Sequence, residues 1–480
     1  MLRPLEFCSF HVTSDVAHGK PHVLPNPPSR AINSLFHKCR DSRISSVNQP
    51  TLPLQGQDRV FLFLQGPHGP FFNALGRMLR NTGARVLRVG FNAGDRAFWF
   101  DRPSYIPFRG LPQNWPATIS VLFDLHDVTD IVLYGDTRRI HATAIAAARA
   151  RNITIHVFEE GYLRPYWVTY ERDGSNGNSR LMQMPVSDMQ AQLERADIEA
   201  PPPPAHWGDM RQHMFYGAAY HWCVMFTNRG YRHFRPHRTL PVTREFLLHL
   251  KRLLLIPVHA TERRLRTARI RRGGYPYHLA LLQLEHDASF RDHSSFDSMT
   301  DFLSEVIAGF AEGAPAHHHL VFKAHPLEDG RTPLQQDITR IAKAYGLTDR
   351  VHFVRGGKLA RLMDDARSVV TVNSTAGQQA LWRGLPLRIF GRAVYAKPEF
   401  ISDQSLPDFF ANPRRPVTSA YLIYRRYLLE TSQVPGGFYS RRGRQRLLRR
   451  VVDMMLAPHD PYTARESGQE AQKPHLRAIT

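Results

Sequence analysis

The chain is poor in the features that mark small secreted or membrane-spanning proteins. Its 480 residues include three cysteines, Cys8, Cys39 and Cys223. They are isolated and odd in number, which argues against a disulfide framework or a zinc site and fits a reducing cytoplasm. No apolar run approaches the roughly 20 residues that span a bilayer; Leu253 to Val258 is among the purest. The N-terminus lacks the continuous apolar stretch of a signal peptide. Acid is scarce too: 42 Asp and Glu against 63 Lys and Arg leave a formal net charge of +21. Such an excess favours nucleic acid, anionic lipid or an acidic substrate, and no nucleic-acid-binding signature accompanies it.

What is present is a repeated alternation of strand and helix patterns. At this length two domains are expected, and 42% hydrophobic residues suffice for two cores. Residues 1–57 mix Pro, Ser, His and Arg without periodicity and read as a disordered leader or an over-extended start. Through 58–200, strands are predicted at Val60 to Leu64, Arg85 to Val89, Ile119 to Phe123, Ile131 to Tyr134 and Ile153 to Phe158. Helices are predicted at Phe71 to Asn81 and Ala142 to Ala150. The run Pro201 to Pro204 breaks this rhythm, and 201–272 reads as a basic, helical linker. A second alternation fills 273–400, with strands at Tyr277 to Leu284, His319 to Phe322, Val351 to Val354, Val369 to Val372 and Leu387 to Phe390. Helices follow over 401–458, crossing back toward the first domain, and 459–480 reads as a disordered tail. The expectation is an α/β fold that is GT-B-like, two Rossmann-like domains facing a central cleft.

Residues able to carry chemistry cluster where these patterns end strands, which is where α/β proteins bind ligands. Glu159 and Glu160 precede Gly161 at such an end. Adjacent carboxylates raise each other's pKa, so one can act as general base or nucleophile; the pair also reads as two surface acids. Lys323 and His325, with Pro326 fixing the turn, share a strand face and can hold and protonate a departing phosphate; a core histidine is the alternative. Asn373, Ser374 and Thr375 precede a helix, where Ser374 can cap the N-terminus or leave it to a phosphate. Alternation sets Gln283, Glu285 and Asp287 on one face, to hold a ribose hydroxyl or cap a loop. Gly66 and Gly69, in a loop that is neither a Walker loop nor GxGxxG, admit an anion or simply turn the chain. Arginine clusters over 263–272 and 441–450, beside apolar residues, suit an anionic membrane surface or a solvated helix face.

Several of these segments together resemble the capsule polysaccharide biosynthesis and export family, in its KpsS/LipB-type members. The likeness is carried by Phe61 to Pro67 with Gly69 to Phe72, by Phe91 to Arg96, and by Tyr134 to Arg138. The stretch Phe158 to Pro165, running on to Asn176 to Ser179, is its most specific part. Leu282 to Asp287, Lys323 to Pro326 and Asn373 to Gly377 extend it, so that it covers about residues 58 to 456.

The resemblance implies a β-Kdo transferase. Its donor would be CMP-Kdo and its acceptor a phosphatidylglycerol-type lipid. It would work on the inner face of the cytoplasmic membrane beside capsule assembly and export proteins. By that likeness Lys323, His325, Pro326, Asn373, Ser374, Thr375, Gln283 and Asp287 serve the nucleotide. Arg164, Gly66, Gly69 and Asp95 serve the sugar, and Glu159 or Glu160 the chemistry. Arg164 suits the sugar carboxylate, since Arg pairs with such groups bidentately, or else forms a structural salt bridge. Donor and product are both β-linked, so configuration is retained through a carboxylate nucleophile, for which Glu160, Asp136 and Asp95 are candidates. CMP is a good leaving group, so no metal or cofactor is expected, and no nucleic acid. The rivals are a transferase of the same fold with another nucleotide-sugar donor, and a non-catalytic membrane-associated scaffold of the export machinery.

Overall fold

The computed structural model describes residues 56–194, 210–234 and 242–467, apart from 327, 329 and 357. Residues 1–55 of the expected leader, the four-proline run and residues 468–480 lie outside the described residues. Two sheets organise the rest. In chain order the first lobe holds β1 (Val60–Phe63), β2 (Arg85–Gly90), β3 (Tyr105–Pro107), β4 (Asp130–Tyr134), β5 (Thr154–Glu160) and β6 (Trp167–Arg172). The second holds β7 (Tyr277–Leu281), β8 (His319–Lys323), β9 (Val351–Val354), β10 (Ala366–Thr371) and β11 (Leu387–Ile389). A last strand, β12 (Gln433–Pro435), returns to the first sheet. The result is the expected GT-B-like pair of Rossmann-like lobes around a cleft.

The first sheet runs β12-β6-β5-β4-β1-β2-β3, parallel from β5 to β3, with β6 antiparallel to β5 and to β12. Phe61, Leu62, Phe63 and Leu64 are all fully buried, as a parallel strand covered on both faces requires. The helix Phe71–Asn81 buries Phe72, Leu75 and Leu79 at helical spacing against Phe63 and Trp99. Each such side chain contributes about 1.5–3 kcal/mol by leaving water.

One predicted strand is a helix. Ile119 to Phe123 lies inside the helix Trp115–His126, which starts with a proline in its first turn and stops at Asp127 in the left-handed region, φ 52°. Trp115, Ile119, Leu122 and Phe123 are buried at spacings of four, three and one, while Val121 and Leu125 face solvent. The β-branched Ile119 and Val121 suit a strand by propensity, but the buried face of Trp115, Ile119, Leu122 and Phe123 has a period of 3.6.

A second correction concerns β5, which does not end before the acidic pair. Glu159 and Glu160 are its last residues, opposite Thr169 and Val168 of β6. The chain reverses through 161–166 and makes a hairpin whose tip projects toward the second lobe. The second sheet runs β11-β10-β7-β8-β9, parallel throughout. Its order reverses between β7 and β10, the topological switch point at which open sheets of this kind bind ligands.

The lobes share a core and are tied by hydrogen bonds. Gln378 Nε2 donates to the carbonyl of Tyr162 at 2.9 Å, Arg392 donates to that of Gly177, and Lys397 to that of Leu181. The chain crosses back as expected. Helix Thr418–Glu430 packs on the second lobe and sets the Tyr427 hydroxyl on Gln192 at 2.7 Å. Helix Arg441–Leu456 then buries Leu447, Val451 and Met455 against the first lobe with Phe71 and Phe438. The tail is not disordered at its start. Asp460 caps the helix Pro461–Glu466 and Tyr462 is buried, its hydroxyl donating to Glu171. The polar composition of the tail concealed a single aromatic anchor. Among the described residues no helix is long and apolar enough to cross a membrane.

Tyr462→Phe is expected to lower stability by about 1–3 kcal/mol, because it removes a donor from a buried carboxylate. Urea denaturation followed by circular dichroism measures it, and an unchanged midpoint would show that the tail helix does not anchor the first lobe.

Candidate functional site

A cavity of about 380 Å³ opens where the hairpin tip of the first lobe meets the switch point of the second. Tyr162, Leu163 and Arg164 form one wall. Lys323, Ala324, His325 and Pro326 form the opposite one, with Ser374, Thr375, Ala376 and Gln378 between them. Lys323, the last residue of β8, is only 4% exposed and has no salt bridge among the described residues. Its ammonium makes a long 3.4 Å contact to the carbonyl of Ala324. Burial, helped by the nearby Arg263 charge, pulls its pKa down to about 8. A buried cation without a counter-ion is costly, and an anion entering the cavity offsets that cost.

His325 is half-buried and lies two residues beyond β8, past the reach of strand alternation, yet it lines the same cavity as Lys323. Ser374 does not cap the following helix. Its Oγ accepts from Ala376 N at 3.2 Å, shaping the turn before the helix Gly377–Trp382. Arg164 is exposed at the mouth, its Nε donating to the carbonyl of Gly161 at 3.2 Å. On the rim Arg425 lies over the ring of Trp382, 4.6 Å from its centroid.

Other expected residues stand elsewhere. β7 ends at Leu281, so alternation does not extend to Gln283, Glu285 and Asp287. Gln283 is buried and exchanges two hydrogen bonds with Asn373, Nε2 to Oδ1 at 2.7 Å and Oε1 from the backbone N at 2.8 Å. This reciprocal pair stitches the ends of β7 and β10 together behind the cavity. Asp287 is exposed at the start of the helix Ala288–His293, and Glu285 accepts from Met299 N. Asp136 accepts from Ser175 N and Asn178 Nδ2 and lines a separate cavity of about 410 Å³ with Arg149 and Arg392. Asp95 is buried under Tyr220 and Arg88 and accepts from Phe91 N. A side chain at Gly66 would collide with the ring of Phe72, and Gly69 adopts φ 100° beside Tyr216. Both glycines are accounted for by packing and turn geometry.

The acidic pair sits behind the hairpin tip and does not line the cavity. Glu160 Oε1 accepts from the Tyr134 hydroxyl at 3.3 Å. Glu159 Oε1 accepts from Glu160 N at 3.0 Å. Burial raises the Glu159 pKa to about 7 against the opposing pull of the Glu160 N–H, Arg164 and Arg138, with the Glu160 charge adding to the rise. A carboxyl poised there exchanges a proton near neutrality. Among the described residues no group of three or more His, Cys, Asp or Glu has metal-holding geometry.

Residues 129–439 match the family model described as capsule polysaccharide biosynthesis protein. The capsule polysaccharide export protein KpsS of Escherichia coli is 31% identical over 397 residues, 82% of this chain and 99% of that one. The chain belongs to the capsule polysaccharide biosynthesis family. The capsule polysaccharide modification protein LipB of Neisseria meningitidis is likewise 31% identical, over 79% of this chain and 91% of its own. A solved structure of Thermosulfurimonas dismutans KpsC, named a beta Kdo 2,7 transferase, aligns with 83% of this chain and 100% of its own. Its 11% identity and TM-score of 0.38 are too distant to bear on function.

Within this family member, several site residues escaped sequence reasoning. Tyr162 and Gln378 join the lobes, and Tyr421 and Arg425 reach the cavity from the helix Thr418–Glu430. His293 packs against Gly177 between the lobes with both ring nitrogens buried and unpartnered. No spacing marks any of them, because their neighbours are supplied by distant segments.

The Glu159 pKa is raised on folding, so the folded state binds more protons than the unfolded chain between about pH 4.5 and 7. Stability contributed at this position therefore falls as pH rises through that window. Glu159→Gln is expected to flatten this loss relative to the unsubstituted protein, measured by denaturation at stepped pH; parallel curves would remove the perturbed carboxyl.

Proposed function

We propose that the protein is a retaining glycosyltransferase that moves Kdo from CMP-Kdo to a phosphatidylglycerol-type lipid. That transfer would start the β-Kdo linker on which capsular polysaccharide is assembled and exported, at the inner face of the cytoplasmic membrane. The observation that carries this reading is the buried, uncompensated Lys323 beside His325 at the switch point, opposite Arg164. Family membership supports the capsule context, and KpsS and LipB carry capsule export and capsule modification in their names.

In this reading the CMP phosphate lies against Lys323, and His325 donates a proton to it as the C2–O bond of the sugar breaks. Arg164 takes the sugar carboxylate, which positions the ketosidic carbon toward the first lobe. One carboxylate forms a covalent bond to that carbon as CMP departs. The acceptor hydroxyl then displaces the carboxylate, so two inversions retain configuration. Of the acidic groups, the Glu159–Glu160 pair lies nearest in sequence to Arg164, and Glu159 suits acceptance of the hydroxyl proton. Both oxygens of Asp95 accept, from Phe91 N and the Tyr220 hydroxyl, and Asp136 Oδ2 accepts from Ser175 N and Asn178 Nδ2 in a separate cavity.

Incubation of the purified protein with CMP-Kdo and a fluorescent phosphatidylglycerol analogue is expected to give a product one Kdo heavier. His325→Ala is expected to cut turnover at least 100-fold with an unchanged melting temperature. CMP is expected to raise the melting temperature where UDP and GDP do not, and Lys323→Met to abolish that rise. Stabilisation by UDP or GDP instead would favour another donor. Full lipid glycosylation in His325→Ala and Glu160→Ala cells would favour a non-catalytic scaffold.

A further inference from the structure

The helix Met210–Phe226 carries aromatic residues on two opposite faces. Its inner face is bound to the first lobe through Tyr220, whose hydroxyl accepts from Gln65 Nε2 at 3.0 Å and Asn92 Nδ2 at 2.7 Å and donates to Asp95 at 3.2 Å. His213 stacks on Tyr439 with centroids 4.0 Å apart, and Tyr216 meets Phe98 edge-on. At about 100° per residue, Phe215, Trp222 and Phe226 fall within roughly 40° of one another, on the side away from Tyr220. They are 66%, 56% and 58% exposed, and Met214 beside them is 58% exposed. A helix that is apolar on every side belongs in a core or in a lipid environment. This one is in a core on one side only.

Charge identifies what the other side meets. Residues 210–244 contain no Asp or Glu and six arginines, among them Arg211 at the start of the helix and Arg229 and Arg232 just past its end. Gln212 accepts from the backbone N–H of Arg441, which brings the first turn of the arginine-rich helix Arg441–Leu456 alongside. Arg441 and Arg442 are exposed there. An aromatic stripe bracketed by arginines at both ends, with no acid between them, complements the headgroup layer of an anionic bilayer.

We propose that this outer face of Met210–Phe226 seats the protein on an anionic bilayer. Phe215, Trp222 and Phe226 enter the headgroup layer and the flanking arginines meet lipid phosphates. Because Tyr220 ties the same helix to Gln65 and Asn92, just beyond β1 and β2, docking brings the carboxyl ends of the first-lobe strands to the lipid surface. The use of this seat for a lipid acceptor rests on the transferase reading; the seat itself does not.

The test uses the full chain and vesicles of phosphatidylcholine with or without phosphatidylglycerol. Flotation is expected with the phosphatidylglycerol-containing vesicles only. Bromine-labelled lipid in those vesicles is expected to quench tryptophan emission, and Trp222→Phe to remove most of that quenching without loss of fold. A Phe215→Ser/Phe226→Ser variant is expected to float at least tenfold less while transfer to a short-chain soluble acceptor stays within twofold. Should vesicle binding follow this pattern while neither protein transfers Kdo, the seat stands and the transferase reading falls. Equal flotation of the variant, or quenching unaffected by Trp222→Phe, overturns the proposal. So does a concentration-dependent dimer that the variant dissolves in the absence of vesicle binding, which would assign the face to a second copy of the chain.

Discussion

A single amide governs the geometry of the cleft. Gln378, at the start of the helix that follows β10, donates to the carbonyl of Tyr162 at the tip of the β5–β6 hairpin. The carbonyl belongs to one lobe and the donor to the other, so the bond fixes the distance between Arg164 and the wall that carries Lys323. Both ends are themselves anchored. The Tyr162 hydroxyl donates to the buried Glu171, and the Tyr421 hydroxyl donates to the Gln378 carbonyl at 3.0 Å. Arg392 and Lys397 repeat the device, each sending a cationic donor from the second lobe to a first-lobe carbonyl. The lobes are thus joined by polar contacts of defined direction as well as by shared apolar surface. That arrangement holds a site in place before any ligand arrives.

Electrostatics gives the held site its purpose. A buried Lys323 without a carboxylate is stable only because its pKa falls toward neutrality or because an anion completes it. Glu159 shows the opposite displacement, raised to about 7 behind the hairpin. In the transfer proposed above, Lys323 holds the departing phosphate and Glu159, on the other lobe, accepts the hydroxyl proton. The +21 net charge of the whole chain reinforces the attraction at long range.

Much of this was readable before any coordinates. Val351–Val354 and Phe71–Asn81 lie where they are predicted, the helix because it carries one clear buried face. Lys323, His325, Ser374 and Thr375 could be grouped because ligands of parallel sheets gather at carboxyl ends of strands. The failures have equally definite causes. Ile119 and Val121 are β-branched, yet the buried face around them follows a helical period. Alternation sets Gln283 and Asp287 on one face only if the strand continues, and it stops at Leu281. The edge strand β12 pairs with β6 through tertiary structure, its Gln433 and Thr169 lying more than 260 residues apart. Gln378 and Tyr421 have meaning only through neighbours that no local pattern contains.

The most direct test of the account is a crystal structure with CMP bound. The account predicts the phosphate within hydrogen-bonding distance of Lys323 Nζ and the His325 ring, in the cavity closed by Arg164. CMP held elsewhere on the molecule, with Lys323 neutralised by a carboxylate of the protein, would contradict it.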